Sequence, residues 1–278
     1  ITGAFGNAEI SLIKSIKKRK IFSSVMFPGM DNVYSKVPMF HFPDKVFVWS
    51  KQMKSFTKKI FLSSDIVISG VAQYQPYYEF ISKKNQNYLI KNNKEIINKM
   101  HNLDKKKKII LYAGPVHIYD ELKDLDIICD TLKNSKIDHK YQVLFRPHPH
   151  RKYIKADNFY TRKYKNIFID TTVTHNYKKS LIKSNTNMDS MTDLEYFVKL
   201  LPNIDLIVSP LSTMIMEAAI FDKPCVVVGY GGLKNKYIKE ALMWGHFDTL
   251  KDKKWFATAS NDEELSHLIN LQLRTKYK

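Results

Sequence analysis

Residues 205–230, DLIVSPLSTMIMEAAIFDKPCVVVGY, constrain the fold more than any other stretch of the chain. A short apolar run (205–208) leads into Ser209-Pro210-Leu211-Ser212-Thr213. A run with helical spacing follows (214–221), then Asp222-Lys223-Pro224, then a second apolar run (225–229). Strand, helix and strand in this order make a βαβ unit, because two parallel strands need a long crossover between them. Ser212 suits an N-cap, where its side-chain oxygen can accept a free backbone N–H of the first turn. Pro224 ends the helical pattern. A helix start preceded by hydroxyl residues favours an anion, since free N–H groups and the helix dipole point at it. Glu217 follows Thr213 by one helical turn, so both lie on one face. A phosphate at the helix tip would bring a ribose within reach of that carboxylate, which can accept from two hydroxyls. The same pattern also serves an ordinary crossover helix, with Met214, Ile215, Ala218 and Ala219 in the core and Ser212 only a cap.

At 278 residues the chain can hold one large or two ordinary domains, and a hydrophobic fraction of 44% excludes a disordered chain. It begins at Ile1 rather than Met, which leads us to expect that an N-terminal portion is missing. No basic-then-apolar leader stands at the start, and no apolar run approaches the ~18 residues of a spanning helix. Cys129 lies in an apolar helical pattern and Cys225 opens an apolar strand, so both read as buried thiols in a reducing compartment. His148 and His150 form a His-x-His pair without a convincing set of further ligands, and no metal is expected. The formal charge of +18 favours anionic partners: nucleotides, nucleic acid or acidic membrane surfaces. Against this, the richness in Lys, Asn and Ile fits a compositional bias. The densest runs, Lys17-Lys18-Arg19-Lys20 and residues 105–108, each precede a strand and also suit solvated edges.

Helical spacing over Asn7–Lys18 is followed by strands at 21–26, 45–49 and 65–69, with a short helix at 51–60. The YQPYY run at 74–78 breaks this alternation. Residues 83–104 are polar, with an amphipathic stretch near Ile96, Ile97 and Met100. We therefore expect a first domain over 1–78, a linker over 79–104 and a second domain over 105–278. The second series places strands at 108–112, 141–145 and 167–170 and helices at 119–134 and 193–201 before the βαβ unit. A mostly parallel sheet with helices on both faces follows from this alternation.

In such a sheet ligands bind beyond the carboxyl ends of the strands. Three loops of the second domain leave such ends. Ala113-Gly114-Pro115-Val116 is the first, and Gly114 would let a ligand or another backbone approach closely. Arg146-Pro147-His148-Pro149-His150-Arg151 is the second, with two prolines holding His148 extended. Four donor side chains in six residues suit a phosphate or a base carbonyl. Residues 209–213 form the third.

Arg-Pro-His-Pro after one strand, then Ser-Pro-x-Ser-Thr-x-x-x-Glu-Ala two strands later, resembles the nucleotide-binding domain of GT-B glycosyltransferases. The likeness is to enzymes of bacterial capsule and surface-polysaccharide synthesis. It includes the His-Pro motif of sialyltransferases and Kdo transferases and the layout of glycerophosphotransferases of teichoic-acid synthesis, which use cytidine donors. It covers roughly residues 105–235. The resemblance implies an α/β fold of two Rossmann-like domains, the N-terminal one truncated. By position, His148 and Pro149 match the His-Pro motif, Ser212 and Thr213 the phosphate-binding hydroxyls, and Glu217 the ribose-binding acid. Gly114, Arg146 and Ser209 complete the expected nucleotide site. The catalytic base of such enzymes usually lies in the first domain, where Asp31 in the PGMDN loop is the candidate; a turn Asp bonding its own backbone is an equal reading. His148 is the second catalytic candidate.

The implied activity is metal- and cofactor-independent transfer of a sugar, or a sugar-like group, from a nucleotide-activated donor to a glycan or lipid-linked acceptor. A cytoplasmic protein, peripheral at the inner membrane face, is expected. A nucleotide-sugar 2-epimerase of the same fold is the nearest alternative, with a glycerophosphotransferase beside it. A basic nucleic-acid-binding protein is the alternative of another class, opposed by scattered basic residues and the lack of a recognised module. A nucleotide-binding fragment without its acceptor domain remains a further reading.

Overall fold

The computed structural model describes residues 7–30, 32–35, 41–115, 120–148, 164–170, 172, 194–231, 245–248, 250 and 252–275. The chain divides into two compact units. The first comprises Ile1–Gln75 and Met243–Thr249, the second Pro76–Leu242 and Leu250–Lys278.

The first unit holds α1 (Asn7–Lys18), β1 (Ser24–Met26), α2 (Asn32–Ser35), β2 (Lys45–Val48), α3 (Lys51–Thr57) and β3 (Asp65–Ile68). Its three strands are parallel in the order β1-β2-β3. Val25, Val46, Val48 and Ile66 meet Ile13 of α1 and Met53 of α3 in one core. Ser50 caps α3 by accepting the Met53 N–H. Asp44 ties the sheet to α1: it accepts from the Ser23 N–H (2.7 Å), the Ser23 hydroxyl (2.8 Å) and Lys17 Nζ (2.6 Å). Hydrogen bonds from Lys17 and Ser23 hold its carboxyl down at about 2. Residues 245–248 cluster with the first unit. Gln52 Nε2 donates to the Gly245 carbonyl. A Cβ on Gly245 would stand 2.8 Å from the Tyr34 ring, so glycine permits that approach.

The second unit begins with α4 (Gln75–Ile81) and α5 (Gln86–His101). Residues 79–104, expected as a linker, are therefore mostly helical. One face of α5 buries Asn93, Ile97, Asn98 and His101, while Lys91 and Lys99 are exposed, as are Ile96 and Met100. There follow β4 (Lys108–Ala113), α6 (Glu121–Asn134), β5 (Tyr141–Arg146), β6 (Ile167–Ile169), α7 (Leu194–Leu200), β7 (Leu206–Ser209), α8 (Met214–Ala219), β8 (Cys225–Val228), β9 (Phe256–Ala259) and α9 (Asp262–Arg274).

These six strands form one sheet in the order β6-β5-β4-β7-β8-β9, every neighbour parallel. Ile110, Tyr112, Leu206, Val208, Val226 and Val228 pack with Leu125 and Ile128 of α6 and Leu265 and Ile269 of α9. The residues between them, Ile109, Leu111, Ile207, Cys225 and Val227, are buried too. Successive strand residues point to opposite faces, so both faces of the sheet are covered. That is why these strands read as unbroken apolar runs. Counted within the unit, the strand order is 3-2-1-4-5-6, the doubly wound Rossmann arrangement, and it reverses between β4 and β7. No helix among the described residues is long and apolar enough to cross a membrane.

Candidate functional site

The reversal point decides where a ligand can lie. Crossovers leave β4 and β7 in opposite directions, and in doubly wound sheets ligands bind beyond the carboxyl ends of the strands at such a point. The register pairs Tyr112 with Val208, and the Ser209 hydroxyl donates to the Ala113 carbonyl at 2.8 Å, closing the two strand ends together. On the other side Ala113 pairs with Arg146, and the Gly114 N–H donates to the Arg146 carbonyl at 2.9 Å. Strands lie ~4.8 Å apart, so the loops after β5, β4 and β7 start within about 10 Å of one another.

Each loop has a local cause. A Cβ on Gly114 would stand 2.0 Å from Glu121 Oε1, at the start of α6, so glycine admits the close approach of helix and strand. In the β7–α8 turn, Leu211 has φ 111°, a region that costs a non-glycine residue strain energy. Strain of this kind persists where the surrounding structure demands a particular path, and it concentrates at binding sites. Thr213 occupies the cap position of α8 and is exposed. Ser212, expected as the cap, stands one residue earlier, where its Oγ accepts the Met214 N–H at 3.2 Å. The correction follows from α8 starting at Met214, which puts Thr213 on the boundary.

Glu217 is half-buried, and its Oε2 accepts from the Tyr77 hydroxyl at 2.6 Å. Burial pushes its carboxyl above the ordinary value, while the Tyr77 hydrogen bond and the Arg146 charge act the other way. His148 is half-buried at the carboxyl end of β5. Asp31 and Pro149 lie outside the described residues, as do Val116, His150 and Arg151.

Two expected ligand groups turn out to be committed inside the protein. Ser209 is fully buried against the Ala113 carbonyl. Arg146, expected as a donor on the loop, is 3% exposed. Its side chain leaves β5 on the face opposite Phe145 and its guanidinium lies 4.5 Å from the centroid of Phe197. There it pairs with Asp170, which is fully buried just after β6. Asp170 also accepts from Thr172 (Oγ1, 2.6 Å; N, 3.1 Å) and from the Tyr196 hydroxyl (3.0 Å). Tyr196 in turn meets His101 Nε2 at 2.8 Å. Burial pushes the Asp170 carboxyl up, but Arg146, His101 and the hydrogen bonds outweigh it and hold it below the usual range. Burial pushes the His101 imidazole down; Asp170 opposes that and Arg146 adds to it. This network pins the ends of β5 and β6 beneath the 146–148 loop.

No known protein-family profile matches the chain, and no curated protein sequence does. Solved structures are similar at the level of fold. The UDP-bound structure of MnaA from S. aureus aligns with 99% of this chain and 66% of its own, at 12% identity and a TM-score of 0.52. The UDP-GlcNAc 2-epimerase of Methanocaldococcus jannaschii, in complex with UDP-GlcNAc and UDP, aligns with 96% of this chain and 73% of its own, at 15% identity and a TM-score of 0.50. The wall teichoic acid polymerase TagF aligns with 82% of this chain at 18% identity and a TM-score of 0.49. The fold is Rossmann-like. This chain spans 50% of the TagF chain's length, about half.

Of the sequence-derived site, the structure brings Gly114, His148, Ser212, Thr213 and Glu217 to the carboxyl edge of adjacent strands. It withdraws Arg146 and Ser209 into supporting roles. Sequence reasoning missed Tyr77 beside Glu217, and Asp170, Tyr196 and His101 in the network around Arg146. Tyr77 carried a signal in YQPYY, a run that broke the pattern without an assigned purpose. Asp170 carried only its place at a strand end.

Proposed function

We propose that the chain is a GT-B type transferase that moves a sugar, or a sugar-like group, from a nucleotide-activated donor to a surface glycan. The observation that supports this reading is the strand reversal between β4 and β7, with Gly114, Ser212, Thr213 and Glu217 gathered beside it. On this reading the Ser212 and Thr213 hydroxyls and the first N–H groups of α8 hold the donor phosphates. Gly114 admits the nucleotide close to the backbone, and Glu217 accepts from the ribose hydroxyls. His148 would meet the base or a phosphate, and Pro149 is proposed beside it on its place in the sequence alone. Leaving-phosphate charge is stabilised by these fixed donors and by the buried charge of Arg146, without a metal. Asp31 is proposed as the base on its place in the sequence alone. A lipid-linked acceptor would put the protein at the inner membrane face, held there by charge.

Calorimetry with CDP and UDP tests the site. The Ser212→Ala, Thr213→Ala double variant should bind the preferred nucleotide roughly thirtyfold more weakly, at ~1 kcal/mol per lost hydrogen bond. Unchanged affinity would sink the assignment. The His-Pro likeness favours cytidine. A second reading, a nucleotide-sugar 2-epimerase, draws on the fold likeness to the UDP-GlcNAc 2-epimerase. Incubation with UDP-GlcNAc and no acceptor separates the two: turnover to UDP or an epimerised sugar favours the epimerase, and none is expected from a transferase.

A further inference from the structure

Tyr77 is 1% exposed, whereas Tyr78 beside it is 68% exposed. The burial of Tyr77 serves two contacts through two parts of the side chain. Its ring packs tilted on Phe221, with centroids 5.8 Å apart, and Phe80 one turn on meets the same Phe221 edge-to-face at 5.9 Å. Its hydroxyl passes beyond that apolar contact to donate to Glu217 Oε2 at 2.6 Å. Glu217 and Phe221 are one helical turn apart, so Tyr77 covers one face of the α8 segment with its ring and its hydroxyl together.

We propose that Tyr77 is a positioning residue that acts through Glu217, fixing the orientation and charge of the carboxylate that accepts the ribose of a nucleotide at the β7–α8 turn. The inference rests on the proposed nucleotide site and adds to it a residue from the opposite end of the unit's sequence. A half-buried carboxylate can turn about its last bond or take up a proton. A phenol donor at 2.6 Å opposes both, because it binds the ionised form and holds one oxygen in place. Among the described residues, Tyr77 and Arg146 are the polar and charged groups that bear on Glu217, and both favour its charged form against burial.

Tyr77→Phe separates the two contacts, since the ring on Phe221 stays and only the hydroxyl goes. Loss of the donor moves the Glu217 titration up in pH. Ribose binding needs the charged carboxylate, so affinity falls as pH drops through that titration. The variant should therefore lose affinity at a higher pH than the unaltered protein. CDP and UDP are titrated calorimetrically from about pH 4.5, the ordinary glutamate range, to about pH 8.5 into the unaltered protein, Tyr77→Phe and Glu217→Gln. We expect the affinity of Tyr77→Phe to fall off at a higher pH than that of the unaltered protein, by up to about tenfold per unit of displacement between the two titrations, and to match it at the alkaline end. Glu217→Gln should be weak throughout, with no recovery. In parallel, the Glu217 side-chain carboxyl carbon is followed by NMR without nucleotide, and its midpoint should rise in Tyr77→Phe. An unmoved midpoint, or a weakening of Tyr77→Phe that is the same at every pH, overturns the inference. If Glu217→Gln binds weakly while Tyr77→Phe matches the unaltered protein at every pH, the inference falls and the nucleotide site stands. If neither nucleotide binds the unaltered protein, the site and the inference fall together.

Discussion

At the scale of single residues, the second unit holds a buried ion pair, Arg146 with Asp170. Asp170 has no solvent and four protein donors or cations around it: Arg146, Thr172, Tyr196 and His101. Such a group is costly to strand and cheap to keep. Asp170→Asn leaves the Arg146 guanidinium buried without its counter-charge, and the expected loss is about 3–5 kcal/mol in urea unfolding near neutral pH. A surface ion pair such as Lys45–Asp65 would lose at most about 1 kcal/mol by comparison. The same network sets a pH dependence whose sign follows from the two shifts. The folded-state value of His101 is lowered from 6.5, so the unfolded chain takes up its proton first and stability declines as pH falls below 6.5. Asp170 is lowered from 3.8, so its contribution is present above 3.8 and is lost as pH falls further. Stability measured against pH should fall in two stages. His101→Gln should lack the His101 share of the first stage, and an identical curve would show that the ring is not held neutral.

At the scale of elements, the decisive object is α5. It reads as a polar stretch, and only one stripe of it is apolar, yet it packs on α7 and carries His101 into the network. Ile97 is fully buried in that stripe. Ile97→Ala should cost about 2–4 kcal/mol of unfolding free energy, as for a cavity in a core. A loss under about 0.5 kcal/mol would return residues 79–104 to the status of a linker. The α8 segment teaches a related point. It is short, it follows a strained turn at Leu211, and the Tyr77 ring covers Phe221 just past its end. Its position comes from those contacts more than from helix propensity, which is weak in so few residues.

At the scale of the whole molecule, two parallel α/β units carry a formal charge of +18. Lys14, Lys17 and Lys18 lie on α1, and Arg19 and Lys20 follow it directly. Lys17 is engaged with Asp44, which leaves the others of that run exposed at the end of the helix. An anionic leaflet attracts such residues at about 1 kcal/mol each close to the surface. Co-sedimentation with anionic vesicles at low salt is expected, with release at a few hundred millimolar salt as the Debye length shrinks towards ~3 Å at 1 M. Equal recovery with neutral and anionic vesicles would mean that the charge is compositional only.

What the sequence determined by itself is the alternation of strand and helix, the parallel character of the sheet and the three loops at its edge. These follow from local causes: apolar runs long enough for a strand buried on both faces, a proline that stops a helix, a glycine where a helix start comes close. The 205–230 stretch announced its βαβ unit because every part of that unit is contiguous in the chain. Strand order is a different matter. That β7 pairs with β4, so that Gly114 and Ser212 share an edge, depends on a pairing between segments about a hundred residues apart. Nothing in the composition of β4 or β7 names its neighbour. The fates of Arg146 and Ser209 were equally hidden, because a strand-end donor looks the same in sequence whether it faces solvent or an Asp170 packed beneath it. The partners of Tyr77 and His101 were illegible for the same reason: each is distant in the chain, and only the closed fold brings the two within hydrogen-bonding distance.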